Sequence, residues 1–356
     1  VELFKLATSC SELMLSRTGK PSQTVPAQFV PGPRPCTGTL WWLMPPAWKG
    51  EQRLQLNTSA GKTPPLVIQA DAQGQFYDIT DEREPVLRYN FGATAVPAGT
   101  GTNYARGDYI HPLYGPDREV LTDDYPKDHP HHRGVWWSWP VTRWRDEVRD
   151  IWAVRGVWSR PVAVRKSQAG PVMAILEAEN VWKWGDKDPI VREEVLLRVF
   201  RRTPTGRCVD VEVKLTALAD GVAIGGRPKG GYGGFSLRAA PVEAQTINAK
   251  LDPADAKPRR SWIDYSGKFA GGQGVAGVAL FEHPSNPGYP SEHRLYPKLN
   301  CVMPAFPGEK EVPLARDKPL VLKHRLWIHA GAADEQTLAG AWAAWAMPAK
   351  LTISKP

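Results

Sequence analysis

The sequence has few cysteines and no long apolar run, and these two shortages exclude several classes of protein. Four cysteines occur among 356 residues, and no two of them form a CxxC pair. A cysteine zinc site of the usual spacing and a dense disulfide framework are therefore excluded, although a bridge between Cys10 and Cys36 stays open. No stretch approaches the ~20 apolar residues of a membrane-spanning helix, so we expect no membrane span.

Concentrated charge of one sign is also missing. The net charge is +8, from 45 basic and 37 acidic residues, but the basic residues are scattered in short groups. No basic tail, helix-turn-helix, zinc finger or RNA-binding signature is present, so we do not expect a nucleic-acid partner. The GxxxxGK[ST] nucleotide loop and the GxSxG nucleophile motif are missing as well, which argues against nucleotide binding and serine catalysis.

The start of the chain favours a location outside the cytoplasm. The first residue is Val1, so a cleaved signal sequence would no longer be part of the chain. Residues 1–15 themselves lack the order of charged and apolar residues that a secretory signal needs. We interpret the chain as a soluble protein, with a periplasmic or secreted location favoured over a cytoplasmic one.

Glycine and proline are abundant, at 32 and 34 residues, which favours many short strands joined by turns. Residues 208–215 alternate apolar and polar side chains, as a half-buried antiparallel strand does. Residues 41–356 are predicted to form one all-β domain, a large antiparallel β-sandwich, preceded by an extended leader over residues 1–40. Further strands are predicted at residues 53–56, 66–70, 86–91, 173–181, 191–200, 275–281 and 320–329.

One helix is predicted, over residues 334–347 at the C-terminal end of the domain. Asp334 is a good N-cap, and Leu338 and Trp345 follow at helical spacing. Pro348 would end the helix.

Histidines are concentrated after a turn-rich, aromatic segment, residues 92–127. Such a long irregular segment in a compact domain is usually functional. Four of the eight histidines lie within 22 residues, and His129 and His131 are two positions apart. On an extended backbone, which Pro130 favours, both rings would point to one side, as in a metal site. The cofactor considered is a divalent metal, with the candidate ligands His111, His129, His131 and His283.

Acid–base chemistry needs an imidazole and a group that orients it. His129 or His131 is the predicted general acid or base, because imidazole titrates near neutral pH. Asp124 and Asp128 are close enough in sequence to orient a ring or to act as the base. The alternative is that these histidines are structural or exposed.

Several nearby residues could bind a substrate. The planar guanidinium of Arg133 could bind a carboxylate or hydroxyl groups of a substrate. An ordinary ion pair within the protein is an equally good interpretation. Trp137 offers a flat ring for stacking on a sugar. The glycine-rich segment 229–238 indicates a close backbone approach or simply a flexible turn. The predicted substrate-binding residues are Arg133, Trp137, Tyr232, Arg238, His132 and Glu282.

Six segments together resemble a family of bacterial proteins labelled PmoA-like, after a methane oxygenase subunit. They are YIHPLYGPDREVLTDDYPKDHPHHRGVWWSW, GGYGGFSLR, WIDYSG, FEHPSNPG, MPAF and HRLWIHAG. The oxygenase subunit is a membrane protein and this chain has no spanning segment, so the label itself looks misplaced. The resemblance implies a β-sandwich, of the galactose-mutarotase-like supersandwich kind, found beside sugar-catabolic oxidoreductases.

Residues and resemblance together predict an enzyme that acts on a carbohydrate: a glycoside hydrolase, a lyase or an epimerase, including one for keto sugars. The substrate is then a carbohydrate or another small molecule. Two alternatives stay open. The first is a carbohydrate-binding module without chemistry, which would need the aromatic residues but not the histidines. The second is a metal-dependent redox protein.

Overall fold

Strands dominate the computed structural model, which describes residues 13–34, 37–58, 63–249 and 260–347. Cys10, Cys36 and Pro348 lie outside the described residues, as do residues 1–12 of the predicted leader. One α-helix is described, α1 (Glu335–Ala346). The strands are β1 (Leu13–Arg17), β2 (Lys20–Pro31), β3 (Gly38–Trp42), β4 (Leu54–Thr58), β5 (Val67–Ala70), β6 (Phe76–Asp81), β7 (Glu84–Asn90), β8 (Tyr109–Leu113), β9 (Val135–Ser138), β10 (Val141–Trp144), β11 (Glu147–Arg149), β12 (Val157–Gln168), β13 (Met173–Trp184), β14 (Asp188–Phe200), β15 (Arg207–Ala217), β16 (Ala223–Gly225), β17 (Gly234–Arg238), β18 (Val242–Asn248), β19 (Trp262–Phe269), β20 (Val275–Glu282), β21 (Glu292–Tyr296), β22 (Cys301–Ala305), β23 (Glu311–Pro313) and β24 (Leu320–Ala330).

Two eight-stranded antiparallel sheets make up the body of the fold. Sheet I has the order β12-β13-β14-β15-β24-β20-β19-β18, and sheet II has the order β21-β22-β17-β9-β8-β7-β6-β5. One large apolar cluster joins them, with Leu176 and Val211 from sheet I and Leu87 and Trp137 from sheet II. The predicted all-β fold with large antiparallel sheets is confirmed. A small sheet, β11-β10-β16-β23, adjoins this body.

Strand β15 shows why the sequence forms these sheets. Val209, Val211, Val213 and Leu215 are all at most 1% exposed and face the core, while the residues between them face away from it. Burying one such face removes apolar surface from water at roughly 25 cal/mol per Å². The other predicted strands are present too, with ends shifted by a few residues.

The predicted extended leader is wrong for its described part. Strands β1 and β2 form a hairpin within a four-stranded sheet of order β3-β2-β1-β4. Leu13 and Leu15 on β1 and Val25 and Ala27 on β2 lie at alternate positions and form the small core of this sheet. Gln28 links this sheet to sheet I, because its Oε1 accepts hydrogen bonds from the amides of Val172 and Met173 at the start of β13.

The predicted C-terminal helix is confirmed. The Oδ1 of Asp334 accepts a hydrogen bond from the Thr337 amide at 2.8 Å, which is the N-cap interaction. Leu338 is fully buried against the outer face of sheet I, where it joins Trp262 and Phe281. Within the described ranges, no helix has the length and apolar character needed to cross a membrane.

The outer face of sheet II is also buried, and it carries the site. Residues on β8, β9 and β22 that alternate with core positions form a second cluster there, including Tyr109, Trp136 and Met303. Trp152 joins it from the connection between β11 and β12. This cluster is the floor on which the histidine segment lies.

Candidate functional site

Three imidazoles are brought together by turns in the connection from β8 to β9. This connection is fastened to the end of β17, because the Asp123 amide donates to the Arg238 carbonyl at 3.0 Å. The amide of His129 donates to the Pro126 carbonyl at 3.1 Å, and that of His132 to the His129 carbonyl at 2.8 Å. The expected extended backbone is therefore wrong, since turns rather than a strand set the ring directions.

The rings of the three histidines pack directly against one another. The His129 and His132 rings are stacked, with centroids 4.8 Å apart and an interplanar angle of 19°. The His131 ring meets His132 edge-on at 4.8 Å. Below them, the His132 ring lies 5.2 Å from that of Trp136. The cluster is compact, and its innermost member, His132, is only 5% exposed.

Asp128 connects this cluster to Arg238. One carboxylate oxygen of Asp128 lies 3.1 Å from Nδ1 of His129, a close contact that lacks the angle of a hydrogen bond, and the other accepts a hydrogen bond from Arg238 Nη2 at 2.8 Å. Burial raises the pKa of Asp128, but the His129 imidazole and the Arg238 guanidinium outweigh it, so its pKa lies below the usual value. A charged carboxylate at Nδ1 of an imidazole is the arrangement that orients a general base.

The other two imidazoles are held neutral. Burial, with the neighbouring His129 and nearby arginines, lowers the pKa of His131 to about 4. Burial and the neighbouring imidazoles lower the pKa of His132 to about 2. Both rings are therefore uncharged at neutral pH, and His132 serves as a packed, polar support for His129.

A cavity of about 400 Å³ opens over this cluster. This volume lies within the range of pockets that hold small molecules. Its polar wall is formed by His129, His131, His132, Asp150, Arg155 and Arg227. Its apolar wall is formed by Trp152, Tyr232, Tyr296, Leu299 and Met303.

Tyr232 and Arg238, both predicted from the glycine-rich segment, do lie at the site. Tyr232 lines the cavity, with its ring 5.3 Å from that of Trp152. Of the two interpretations of the glycine-rich segment, the structure favours a close approach of the backbone. Gly233 and Gly234 have φ values of 139° and 93°, which favour glycine. Arg238 is only 5% exposed and holds Asp128, so it supports the site instead of contacting a ligand.

Arg133 does not serve as a substrate clamp, which corrects the prediction. Its side chain is fully buried, and its guanidinium donates to the carbonyls of Pro130, His132 and Tyr104. The guanidinium also stacks on Tyr125, 3.3 Å from the ring centre. Arg133 therefore ties the turns of the histidine segment to its surroundings.

Asp124 belongs to the same supporting network and not to the cavity wall. Its Oδ2 accepts a hydrogen bond from the Tyr109 hydroxyl at 3.1 Å, and its Oδ1 lies 3.5 Å from Nε of Arg133. Burial raises the pKa of Asp124 to about 6, against the opposing effect of Arg133. Of the two predicted aspartates, Asp128 is the one beside a histidine of the cavity.

Two predicted substrate-binding residues lie away from the cavity. Trp137 is 2% exposed in the core between the sheets, with its ring stacked on Phe235 at 6.3 Å. The alternation along β9 directs Trp136 toward the site and Trp137 toward the core. Glu282 is 1% exposed and accepts hydrogen bonds from the amide and hydroxyl of Ser291, so its carboxylate is used within the protein.

The four proposed metal ligands do not come together. His111 pairs with the Thr122 hydroxyl at 2.9 Å, and burial lowers its pKa to about 4. His283 lies beside α1, with its ring 5.0 Å from that of Trp345. Within the described residues, no group of three histidine, cysteine or acidic side chains is arranged to hold a metal ion. The proposed metal set is thus divided between separate parts of the fold.

Five charged or aromatic residues of the cavity were not identified from the sequence: Asp150, Trp152, Arg155, Arg227 and Tyr296. Burial raises the pKa of Asp150, although the Ala153 amide and the two guanidiniums oppose it. Tyr296 faces Tyr232 edge-on at 6.4 Å. The glycine-rich segment, which starts just after Arg227, was the one local signal for part of this set.

A larger cavity of about 890 Å³ lies elsewhere, between loops of both large sheets, the end of β24 and the start of α1. Its charged side chains are engaged with one another, as in the pairs Arg207–Asp81 at 3.0 Å and Arg118–Glu84. No predicted site residue lines it. The smaller cavity is therefore the better candidate site.

Fold and site define a class: an all-β sandwich protein with an aromatic, imidazole-lined cavity on the outer face of one sheet. Residues 77–343 match the model of a family of unknown function, DUF6807, and the chain belongs to this family. This range covers both large sheets except β5, together with all of the cavity. Neither the comparison with curated proteins nor that with solved structures gives a match.

Proposed function

We propose that this protein is a carbohydrate-active enzyme in which His129, oriented by Asp128, transfers a proton to or from a sugar in the 400 Å³ cavity. The contact between Asp128 and His129 at the cavity wall carries this proposal. With Nδ1 beside a carboxylate, Nε2 is the ring nitrogen that remains for a substrate. A general base in such a position contributes about 10² to 10⁴-fold to a reaction rate.

A carbohydrate suits the walls of the cavity. Sugar rings combine apolar C–H faces with hydroxyl groups, and the cavity combines aromatic rings with hydrogen-bonding side chains. Tyr232 and Tyr296 are half-buried, so each keeps part of its ring available to a ligand. Aromatic side chains contribute large contact areas, and the tyrosine hydroxyl adds a polar contact.

Among the three predicted reactions, abstraction of a proton beside a carbonyl group is favoured. Such a step, as in a lyase or an epimerase, needs one oriented base and a group that stabilises negative charge. Glycoside hydrolysis usually needs two carboxyl groups that flank one bond. At the cavity, Asp128 is occupied by His129 and Arg238, which leaves Asp150 as the one lining carboxyl group of the described residues.

The test is a turnover screen against plain and keto glycosides, in which exchange of carbon-bound hydrogen with solvent deuterium is followed by NMR. For any substrate found, the His129→Ala variant is expected to lose turnover by about 10²-fold or more while it keeps binding. His283→Ala is the matched control, because His283 is partly buried and lies outside the cavity.

Binding that persists without any turnover in the wild-type protein would favour the carbohydrate-binding module instead. Turnover that is equal in the wild-type protein and the His129→Ala variant would refute the assignment of His129 as the base.

A further inference from the structure

Two arginines at the cavity rim have no ionic partner among the described residues. Arg155 lies in the connection between β11 and β12, and Arg227 in that between β16 and β17; both are exposed. Within the described part of the chain, neither guanidinium lies within 4.0 Å of a carboxylate oxygen, as the defined ion pairs show. By contrast, Arg294 nearby is fixed by Glu292 at 2.7 Å. The rim thus presents two guanidiniums without a carboxylate partner in the part of the chain that the structure describes.

Both arginines influence the pKa values of the same two cavity residues, Asp150 and Tyr232. Their positive charges oppose the burial that raises the pKa values of Asp150 and Tyr232. The Asp150 carboxylate is already used locally, since its Oδ1 accepts a hydrogen bond from the Ala153 amide at 2.8 Å. Arg155 and Arg227 therefore converge on one side of the cavity, next to the tyrosine wall.

The remaining groups do not cancel this charge. His131 and His132 are neutral at neutral pH because burial depresses their pKa values. Asp128 is paired with His129 and Arg238. Asp150 is thus the one carboxylate of the described lining that faces two guanidiniums, and the cavity has an excess of positive charge.

We infer that the ligand of this cavity is a sugar acid, whose carboxylate pairs with Arg155 and Arg227 while its ring lies against Tyr232. This inference rests on the proposed carbohydrate function and names its substrate class. Guanidinium forks bind carboxylates through paired, charge-assisted hydrogen bonds. Neutralising the carboxylate also makes the neighbouring C–H more acidic, and that proton is the one a lyase or an epimerase removes. A sugar phosphate is the other anionic ligand that two arginines could bind. Its negative charge, however, lies on a phosphate group and not on a carboxylate next to the C–H that would lose its proton.

The experiment measures binding by calorimetry with D-glucuronate and D-galacturonate, the neutral sugars D-glucose and D-galactose, and D-glucose 6-phosphate. We expect the uronates to bind the wild-type protein most tightly, and more weakly as salt is added. Arg155→Gln and Arg227→Gln should each weaken uronate binding by about tenfold, since each variant loses charge-assisted hydrogen bonds that form at an exposed position. Arg316→Gln is the control, because Arg316 is exposed and lies outside the cavity.

The inference is overturned if the double variant binds uronates as well as the wild-type protein, or if neutral sugars or the phosphate bind best. Its failure is distinct from that of the proposed function. Turnover of neutral sugars that depends on His129 would refute the sugar acid and keep the enzyme. Arginine-dependent uronate binding, with turnover independent of His129, would keep the sugar acid and refute the proposed base.

Discussion

The carboxylate of Asp128 lies 3.1 Å from Nδ1 of His129 and is held from its other side by Arg238. This contact fixes one imidazole among three that pack together, and it distinguishes His129 from its neighbours. His131 and His132 have no carboxylate at this distance among the described residues, and burial depresses both pKa values. His129 is therefore the imidazole to which we ascribe the proposed acid–base chemistry.

Asp128→Asn should lower kcat by about 10²-fold or more and leave KM within about threefold. The amide keeps the shape of the side chain but not its charge, so the imidazole loses its orientation and the stabilisation of its protonated form. The measurement is the steady-state kinetics of the substrate found in the screen, with a pH profile. Asp117→Asn is the control, because Asp117 lies outside the cavity. A variant that changes KM alone would show that Asp128 only shapes the binding surface.

Arg133→Lys should destabilise the protein by about 3–5 kcal/mol. Lysine cannot make the three carbonyl contacts of the guanidinium or stack on Tyr125, and its buried charge would lack partners. The measurement is the free energy of unfolding in urea. Arg118→Lys, in an exposed ion pair with Glu84, should change stability by less than about 1 kcal/mol. Equal effects of the two substitutions would contradict the supporting role of Arg133.

The elements that could be predicted from the sequence are those set by a pattern within one short stretch of residues. Strand β15 and helix α1 are set by alternation and by an N-cap, both visible within one short stretch. The histidine cluster was partly foreseen for the same reason, since residues 128–132 are near in sequence. The strands of the leader were missed because Leu13, Met14 and Leu15 are all apolar, so no alternation marks this short strand.

The rest of the site depends on pairing between distant strands. Strand β10 pairs antiparallel with both β11 and β16, so Arg149 at the end of β11 and Gly225 at the end of β16 both lie beside the start of β10. The connections that follow β11 and β16 therefore begin at the same edge of this small sheet. Arg155 and Arg227 meet at the cavity for that reason, and nothing within either local sequence indicates it. Alternation along β9 likewise separates Trp136 from Trp137 but does not indicate which of the two faces the core.

Trp137→Phe and Tyr232→Ala should have opposite effects on stability and binding. Trp137→Phe should destabilise the protein by about 1–3 kcal/mol, because it leaves space in the packed core, with ligand affinity unchanged. Tyr232→Ala should weaken ligand binding by about tenfold with a small loss of stability, because its ring is partly exposed at the cavity. Urea unfolding and calorimetry measure the two quantities. Loss of affinity in the folded Trp137→Phe protein would contradict its placement in the core.

Two carboxyl groups between the sheets, Asp108 and Glu193, should make the protein less stable as pH rises. Both are buried, and Glu193 Oε2 accepts from Trp182 Nε1 at 2.7 Å while Asp108 Oδ1 accepts from the Tyr89 hydroxyl at 2.8 Å. Burial, reinforced by the negative charge of Asp108, raises the pKa of Glu193 well above its usual value. The folded protein therefore keeps a proton that the unfolded chain releases above about pH 4.3.

The stabilising contribution of Glu193 is then complete below that pH and is lost as pH rises through the folded-state pKa. Glu193→Gln removes this titration, so the free energy of unfolding of the wild-type protein should fall relative to that of the variant between pH 5 and 8. The limiting slope for one proton is about 1.4 kcal/mol per pH unit. Urea unfolding of both proteins across this range isolates the effect, because the histidines whose pKa values are depressed titrate equally in both. If the free energies of unfolding of the two proteins changed with pH in parallel, Glu193 would be ionised in the folded protein. The predicted rise of its pKa by burial and by Asp108 would then be wrong.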